Sequence, residues 1–199
     1  DTLGAALFAR TPRGVRLTAL GQQVLPAFTQ AFDALGMAVG DLRAAAAPRT
    51  VHIATLPAIA QLWLSPRLPA LRAVAPDIRI SITALETPPN LKRSPYDLSL
   101  FLDADPQGRL APDVIFPVCA PALAARLASP ADIAQHPCLS DATWEDDWAL
   151  WSSAVDQPPL LPRGPVFSLY ALAVEETVNG AGILIGHQAL VEQHLADGR

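Results

Sequence analysis

Cysteine is scarce in this sequence, because its 199 residues include only Cys119 and Cys138. Their separation does not match the spacing of cysteine ligands in a structural metal site, so we expect no metal centre. Two buried, reduced thiols are the expectation for a protein of the reducing cytoplasm, although the sequence by itself leaves a disulfide open.

Long apolar runs are also missing. None approaches the roughly 18 residues that a membrane-spanning helix needs. The first five residues, Asp-Thr-Leu-Gly-Ala, lack the basic start and the apolar stretch of a signal peptide. We therefore predict a cytoplasmic protein with no membrane partner.

Motifs for catalysis do not fit their surroundings. Gly180 and Gly182 imitate a dinucleotide fingerprint, but they follow a predicted helix and precede a predicted strand, the reverse of that motif. Glu145, Asp146 and Asp147 point in different directions on a helix, which is typical of a solvated helix start. A nucleophile elbow and a Ser/His/Asp order are absent. We expect binding without a cofactor rather than catalysis.

Charge is unevenly distributed along the chain. The net charge of −5 does not suit a protein that binds nucleic acid over its whole surface. Residues 1–48 carry four basic and three acidic residues, whereas the remainder carries ten basic and sixteen acidic residues. A slightly basic head on an acidic body is typical of a DNA-contacting tip attached to a sensor domain.

The stretch from Leu7 to Gly21 holds three arginines at steps of three, Arg10, Arg13 and Arg16. Pro12 and Gly14 lie between them and exclude a helical stripe. The pattern predicts a turn between two short strands, with the arginines directed outward. Guanidinium groups bind phosphate as a fork, so we expect these residues to contact DNA. A solvated hairpin with scattered charge is the alternative.

A long helix is predicted after this turn. Thr18 is a suitable N-cap, and apolar residues recur at steps of three and four from Leu20 to Leu42. About 27 residues give a helix of about 40 Å, although Pro26 and Gly36 weaken it. Such a helix needs a partner along its length. We favour the same helix of a second subunit over packing on its own domain.

The remaining chain alternates between strands and helices. A strand at 50–55, a helix at 58–74 and a strand at 77–85 predict a parallel β-α-β unit. Further strands are predicted at 96–101, 114–119 and 183–185, with helices at 170–178 and 187–197. His187 and His194 are predicted at the surface of that last helix. The fold class is therefore α/β.

Several of these motifs resemble the LysR-type transcriptional regulators. The run from Leu3 to Gly21 is similar to the wing of their winged helix-turn-helix and the start of their linker helix. Pro57 followed by Trp63-Leu64-x-Pro66-Arg67-Leu68 is similar to the start of their effector domain. Asp147-Trp148-x-x-Trp151 and the glycines of 179–186 also match. Within this family, the sequence resembles the branch that includes the glycine-cleavage and beta-lactamase regulators.

The resemblance implies a domain organisation. Residues 1–17 would be a remnant wing, 18–47 the linker helix that dimerises, and 48–199 a periplasmic-binding-protein-like effector domain with its second subdomain at about 117–199. The helix-turn-helix and the C-terminal end of the family are expected to lie outside this sequence. Homodimers or homotetramers, and DNA binding by the full-length protein, are implied.

Two other functions remain as alternatives. A solute-binding protein of a transport system shares the two-lobed fold, but the missing signal peptide and the wing disfavour it. The second alternative is an enzyme, whose catalytic residues in the cleft would be Asp141, Glu145 and His136.

The effector site is predicted from the general rule that ligands bind beyond the carboxyl ends of the strands of an open α/β sheet. The expected ligand-binding residues are Pro57, Ala58, Ile59, Glu86, Thr87, Phe101, Asp141, Thr143, Leu169 and Tyr170.

Two of these positions differ from the family branch. Ala58 replaces a hydroxyl residue, and Tyr170 replaces a serine of the family's Phe-x-x-Ser, counted from Phe167. We therefore expect a narrower, more apolar cleft in which the phenol is the polar handle, unless Tyr170 packs away from it. Free amides near Ala58 would hold a carboxylate, so a small, partly apolar or aromatic organic acid is the expected effector.

Overall fold

The computed structural model describes residues 4–102 and 110–199. This part of the chain forms two compact units. The first runs to Ile53 and adds Ile78–Ser81 and Pro89–Ser99, whereas the second comprises Ala54–Asp77, Ile82–Pro88 and the described chain from Leu100 to Arg199. Among the described helices, none has the length and apolar character that crossing a membrane requires.

An antiparallel hairpin opens the first unit, as predicted. Strand β1 (Phe8–Thr11) pairs with strand β2 (Gly14–Leu17). Gly14 has a φ of 125°, a conformation that side chains rarely adopt, which explains why glycine follows Pro12-Arg13 in the turn.

Helix α1 (Ala19–Ala46) follows the hairpin directly. The Thr18 hydroxyl accepts a hydrogen bond from the Gly21 N–H at 3.0 Å, which confirms Thr18 as the N-cap. Pro26 lies inside the helix without ending it. Of its residues only Gly21 is buried, and large apolar side chains are exposed along the helix: Leu20, Leu25, Phe28, Phe32, Leu35, Met37, Val39 and Leu42.

A three-stranded sheet follows α1 along the chain. Its order is β4 (Arg79–Ala84), β3 (Thr50–Thr55), β5 (Leu98–Leu100). Hydrogen bonds from Arg79 N to Arg49 O and from Leu85 N to Thr55 O advance together along β4 and β3, so these strands are parallel as predicted.

The crossover between β3 and β4 begins with a π-helix (Ile59–Leu64) that continues as α2 (Ser65–Val74). The sequence predicts one α-helix here. Pro66 has no amide to donate, and its ring clashes with the carbonyl of the residue four positions earlier. The wider π turn, in which Ser65 N–H donates to Ala60 O, avoids that clash.

The second unit contains two small sheets. Strand β6 (Ile115–Cys119) pairs antiparallel with β9 (Ile183–His187), and β7 (Ser140–Asp141) pairs parallel with β8 (Val166–Phe167). The helices around them are α3 (Pro121–Ala124), a 3-10 helix (Pro130–Gln135), α4 (Asp147–Ala154), α5 (Tyr170–Val178) and α6 (Gln188–Ala196).

The core of this unit surrounds β9, whose five residues are all buried. Trp148 and Trp151 pack edge to face beneath it, and the Trp148 indole N–H donates to Leu139 O. Both cysteines are free thiols; Cys138 is buried, but Cys119 is only half-buried.

Candidate ligand-binding recess

A recess of the second unit lies beyond the carboxyl ends of β3, β4, β7 and β8, where the sheet rule predicts a ligand. It is a shallow recess: its cavity volume is about 10 Å³, and the surrounding 240 Å³ of space includes open solvent. Its lining residues are Leu56, Pro57, Ala58, Glu86, Thr143, Trp144, Ser168, Leu169 and Tyr170.

Six of the ten predicted ligand-binding residues line this recess: Pro57, Ala58, Glu86, Thr143, Leu169 and Tyr170. The other four are Ile59, Thr87, Phe101 and Asp141. Ile59 belongs to the hydrophobic core, and Phe101 packs against it. Thr87 is exposed, and Asp141 is buried.

Sequence reasoning missed Trp144 and Ser168. Trp144 precedes the acidic run Glu145-Asp146-Asp147, and no motif there signals a ligand contact. Ser168 lies between a strand and a helix, where a hydroxyl is a common helix-start donor or acceptor, and that position was the available signal.

Two helix starts meet at the recess. Ala58 is the N-cap of the π-helix that opens the continuous helical segment ending at Val74, and Leu169 is the N-cap of the nine-residue α5, which begins at Tyr170. The first amides of a helix have no partner inside it and carry a partial positive charge. Such amides are suited to bind an anion. Glu86, which is exposed, is the one charged side chain among the residues that line the recess.

Tyr170 is one of the lining residues, but its hydroxyl is bonded inside the protein. The side chain is 2% exposed, and its hydroxyl donates to Ile185 O at 2.9 Å and accepts from the His187 N–H at 3.0 Å. Burial raises the pKa of Tyr170, so the phenol stays protonated. The expectation that this phenol serves as a polar handle is therefore wrong, because both backbone partners already occupy it.

Trp144 joins the recess to a buried histidine. Its ring meets the Tyr170 ring edge-on, with 4.8 Å between centroids, and lies 4.1 Å from the His187 ring. Tyr170 and His187 are themselves 5.4 Å apart. We call these three side chains the aromatic group; two of its members line the recess, and His187 lies behind them.

His187 is clamped between two carboxylates. Its Nδ1 lies 2.5 Å from Asp113 Oδ2 and its Nε2 lies 3.0 Å from Asp147 Oδ2. Burial lowers the pKa of His187, but hydrogen bonds and charge from the two carboxylates outweigh that effect and raise the pKa to about 9. At neutral pH the ring is therefore an imidazolium that donates to both partners.

The prediction that His187 lies at the surface is wrong, and so is the prediction that Asp147 is solvated. His187 ends a strand that is buried along its whole length, and a strand of that kind offers no solvent face. Its side chain is 5% exposed, and the Asp147 side chain is 13% exposed. Glu145 and Asp146 are exposed, as expected for a solvated helix start.

Asp141 stands beside the aromatic group without lining the recess. Its Oδ1 accepts from the Thr143 N–H at 2.8 Å, whereas its buried Oδ2 has no hydrogen-bond partner within the described residues. Its carboxylate therefore shapes the turn that carries Trp144.

The arginines of the hairpin do not share one face. Arg10, Arg13 and Arg16 are exposed. The register pairs Arg10 with Val15 and Ala9 with Arg16, so Arg10 and Arg16 project from opposite faces, and Arg13 lies in the turn. Contact with DNA through these residues stays a prediction.

Residues 44–199 match the family described as the LysR substrate binding domain. The chain is 30% identical over its whole length to the HTH-type transcriptional activator AmpR of Rhodobacter capsulatus, covering 70% of that protein. It is 27% identical to the glycine cleavage system transcriptional activator of Escherichia coli K12, of which it covers 68%. The AmpR effector binding domain of Citrobacter freundii superposes with a TM-score of 0.63 at 23% identity, over 75% of this chain and 78% of that one.

Proposed function

We propose that this chain, which belongs to the LysR-type transcriptional regulators, senses a small organic acid in the recess between its two helix starts. The observation that carries the proposal is the meeting of the Pro57-Ala58 and Leu169-Tyr170 segments at one recess. A carboxylate placed there would receive the Ala58 N–H, since Pro57 has none, together with amide N–H groups at the start of α5 and the hydroxyl of Ser168.

The rest of the lining favours an apolar or aromatic body for this acid. Trp144, Tyr170 and Leu56 are apolar or aromatic members of the lining, and of these Trp144 is the most exposed. Glu86 repels a second carboxylate at the rim and tolerates a neutral or ammonium group. A dicarboxylate fits this lining poorly, whereas a monocarboxylic acid or an amino acid fits it.

The regulatory role needs two further contacts. The exposed apolar side chains of α1 supply a surface for a second copy of the chain, which supports a homodimer, alone or within a homotetramer. DNA binding belongs to the full-length protein, with Arg10, Arg13 and Arg16 as phosphate contacts beside the recognition element. The site of action is the cytoplasm, where DNA and metabolites meet.

Calorimetry tests the proposal. Benzoate, short aliphatic monocarboxylates and amino acids are titrated into the protein, with glucose as a polar, uncharged comparison. Binding of acids but not of glucose is expected. Ser168→Ala should weaken benzoate binding several-fold, or by about 1 kcal/mol, because one donor is lost. Ser153→Ala, at an exposed position of α4, is the matched control. Acid binding unaffected by Ser168→Ala would place the carboxylate elsewhere.

A further inference from the structure

The cluster of Asp113, His187 and Asp147 links three elements behind the recess. Asp113 precedes β6, His187 ends β9, and Asp147 is the first residue of α4. It gathers two carboxylates and one imidazole in a place where all three side chains are largely buried. The proposed function assigns no role to it.

The turn that carries Trp144 is fastened at both ends. At its start, Asp141 accepts the Thr143 N–H through its carboxylate, and its carbonyl accepts the Trp144 N–H. At its end, Asp147 donates its backbone N–H to Trp144 O and binds His187 through its side chain. The position of Trp144 in the recess wall therefore depends on the contact between Asp147 and His187.

That contact requires the proton of His187. An imidazolium donates from both ring nitrogens, whereas a neutral imidazole donates from one and presents a lone pair at the other. Once the ring is neutral, one carboxylate faces that lone pair. The contact with Asp113 is 2.5 Å and that with Asp147 is 3.0 Å, so the Asp147 contact is the one that opens.

We infer that charged His187 is a positioning residue for the recess, because it holds Asp147 and thereby keeps Trp144 against Tyr170. Loss of its proton releases the turn and changes the shape of the recess wall. The effect on effector binding rests on the proposed function, whereas the effect on Trp144 does not.

The charged and titratable groups around the ring come from every element packed against it. Asp113 faces it from the segment before β6, Asp147 from α4, and the Tyr170 hydroxyl from α5. Asp141 of β7 adds a further negative charge near Tyr170. Because these carboxylates raise the pKa of His187 to about 9, the release of the turn is expected near that pH.

Tryptophan fluorescence between pH 6 and 11 tests the inference without a ligand. A protonated imidazole in contact with an indole quenches its emission, so emission should rise as His187 loses its proton. Trp144→Phe should abolish the rise. Asp147→Asn keeps the shape but removes one charge, and it should lower the midpoint by about one to three pH units. Asp146→Asn, an exposed neighbour, should leave the midpoint unchanged.

Calorimetry with benzoate at pH 7 and pH 10 then tests whether loss of the His187 proton also affects ligand binding. We expect binding to weaken tenfold or more at pH 10 in the unmodified protein. If the fluorescence behaves as expected but benzoate does not bind at either pH, the positioning role stands and the proposed function fails. If Asp147→Asn leaves the midpoint unchanged, or if the rise persists in Trp144→Phe, the inference is overturned whether or not benzoate binds.

Discussion

Gly36 of α1 lies directly against the carbonyl oxygen of Lys92. A Cβ atom at Gly36 would come within 2.0 Å of that oxygen and 3.0 Å of Arg93 Cα. Arg93 adds a 2.6 Å ion pair with Asp33 and a 3.1 Å hydrogen bond to Thr29 O. The segment before β5 is thus docked on α1 within the first unit, at the glycine that sequence reasoning regarded as a weakness of the helix.

Gly36→Ala is expected to destabilise the protein by at least 1 kcal/mol, since the added methyl cannot fit without moving backbone. Gly40→Ala is the matched control, because nothing lies within 4 Å of a Cβ there and alanine is the better helix former by up to about 1 kcal/mol. Urea denaturation of both variants measures the difference. Equal stability of the two variants would show that the docking is dispensable.

Leu35→Asp should shift the protein toward monomer. Leu35 is 60% exposed in the single chain, so a charge there costs little unless a second copy covers it. Light scattering at several concentrations measures the mass. Gln30→Asp is the control, at an exposed position away from the apolar stripe of α1. An unchanged dimer mass in Leu35→Asp would contradict dimerisation through this stripe.

Glu86→Gln should strengthen benzoate binding several-fold, because a like charge at the rim is removed. The gain is modest since Glu86 is exposed and screened by solvent. Glu145→Gln, which is exposed but does not line the recess, should have no effect. Calorimetry with an amino acid, run in parallel with benzoate, tests whether Glu86 contacts the ammonium group of an amino-acid ligand. Weaker amino-acid binding in Glu86→Gln would assign the ammonium group to this carboxylate.

Stability should decline with rising pH through the titration of His187. Its pKa in the folded protein, about 9, lies above the value of 6.5 for an unperturbed histidine. The stabilisation is therefore complete below pH 6.5 and is lost as the pH rises through about 9. The 2.5-unit difference corresponds to at most about 3 kcal/mol. Urea denaturation at pH 6, 7.5 and 9.5 measures it, and Asp147→Asn should show a smaller decline. If the free energy of unfolding fell with pH by the same amount in the unmodified protein and in Asp147→Asn, the stabilising role of the charged His187 would be contradicted.

Local patterns in the sequence predict much of this fold. The proline and glycine of the arginine turn, the Thr18 cap and the apolar spacing of α1 are short-range signals, and the structure confirms each. The sheet rule likewise brings six predicted residues to the recess, because it depends only on where strands end.

Long-range partners are what the sequence does not reveal. His187 meets a carboxylate 74 residues earlier and another 40 residues earlier, and nothing in the spacing of either pair signals the contact. The Tyr170 hydroxyl binds the backbone of Ile185 and His187, and backbone partners of this kind cannot be identified from the side chains in the sequence. Buried polar pairs of this kind are specified by tertiary packing.

The N-cap of α1 has a mechanical consequence. Thr18 caps the helix with its hydroxyl, donates the same hydroxyl to Ala6 O and donates its N–H to Leu7 O. A Cβ at Gly21 would come within 2.3 Å of Leu7 O, so the helix and the chain entering the hairpin have no clearance between them. We therefore expect a rotation of α1 about its long axis to carry the hairpin with it, and with the hairpin Arg10 and Arg16 on its two faces.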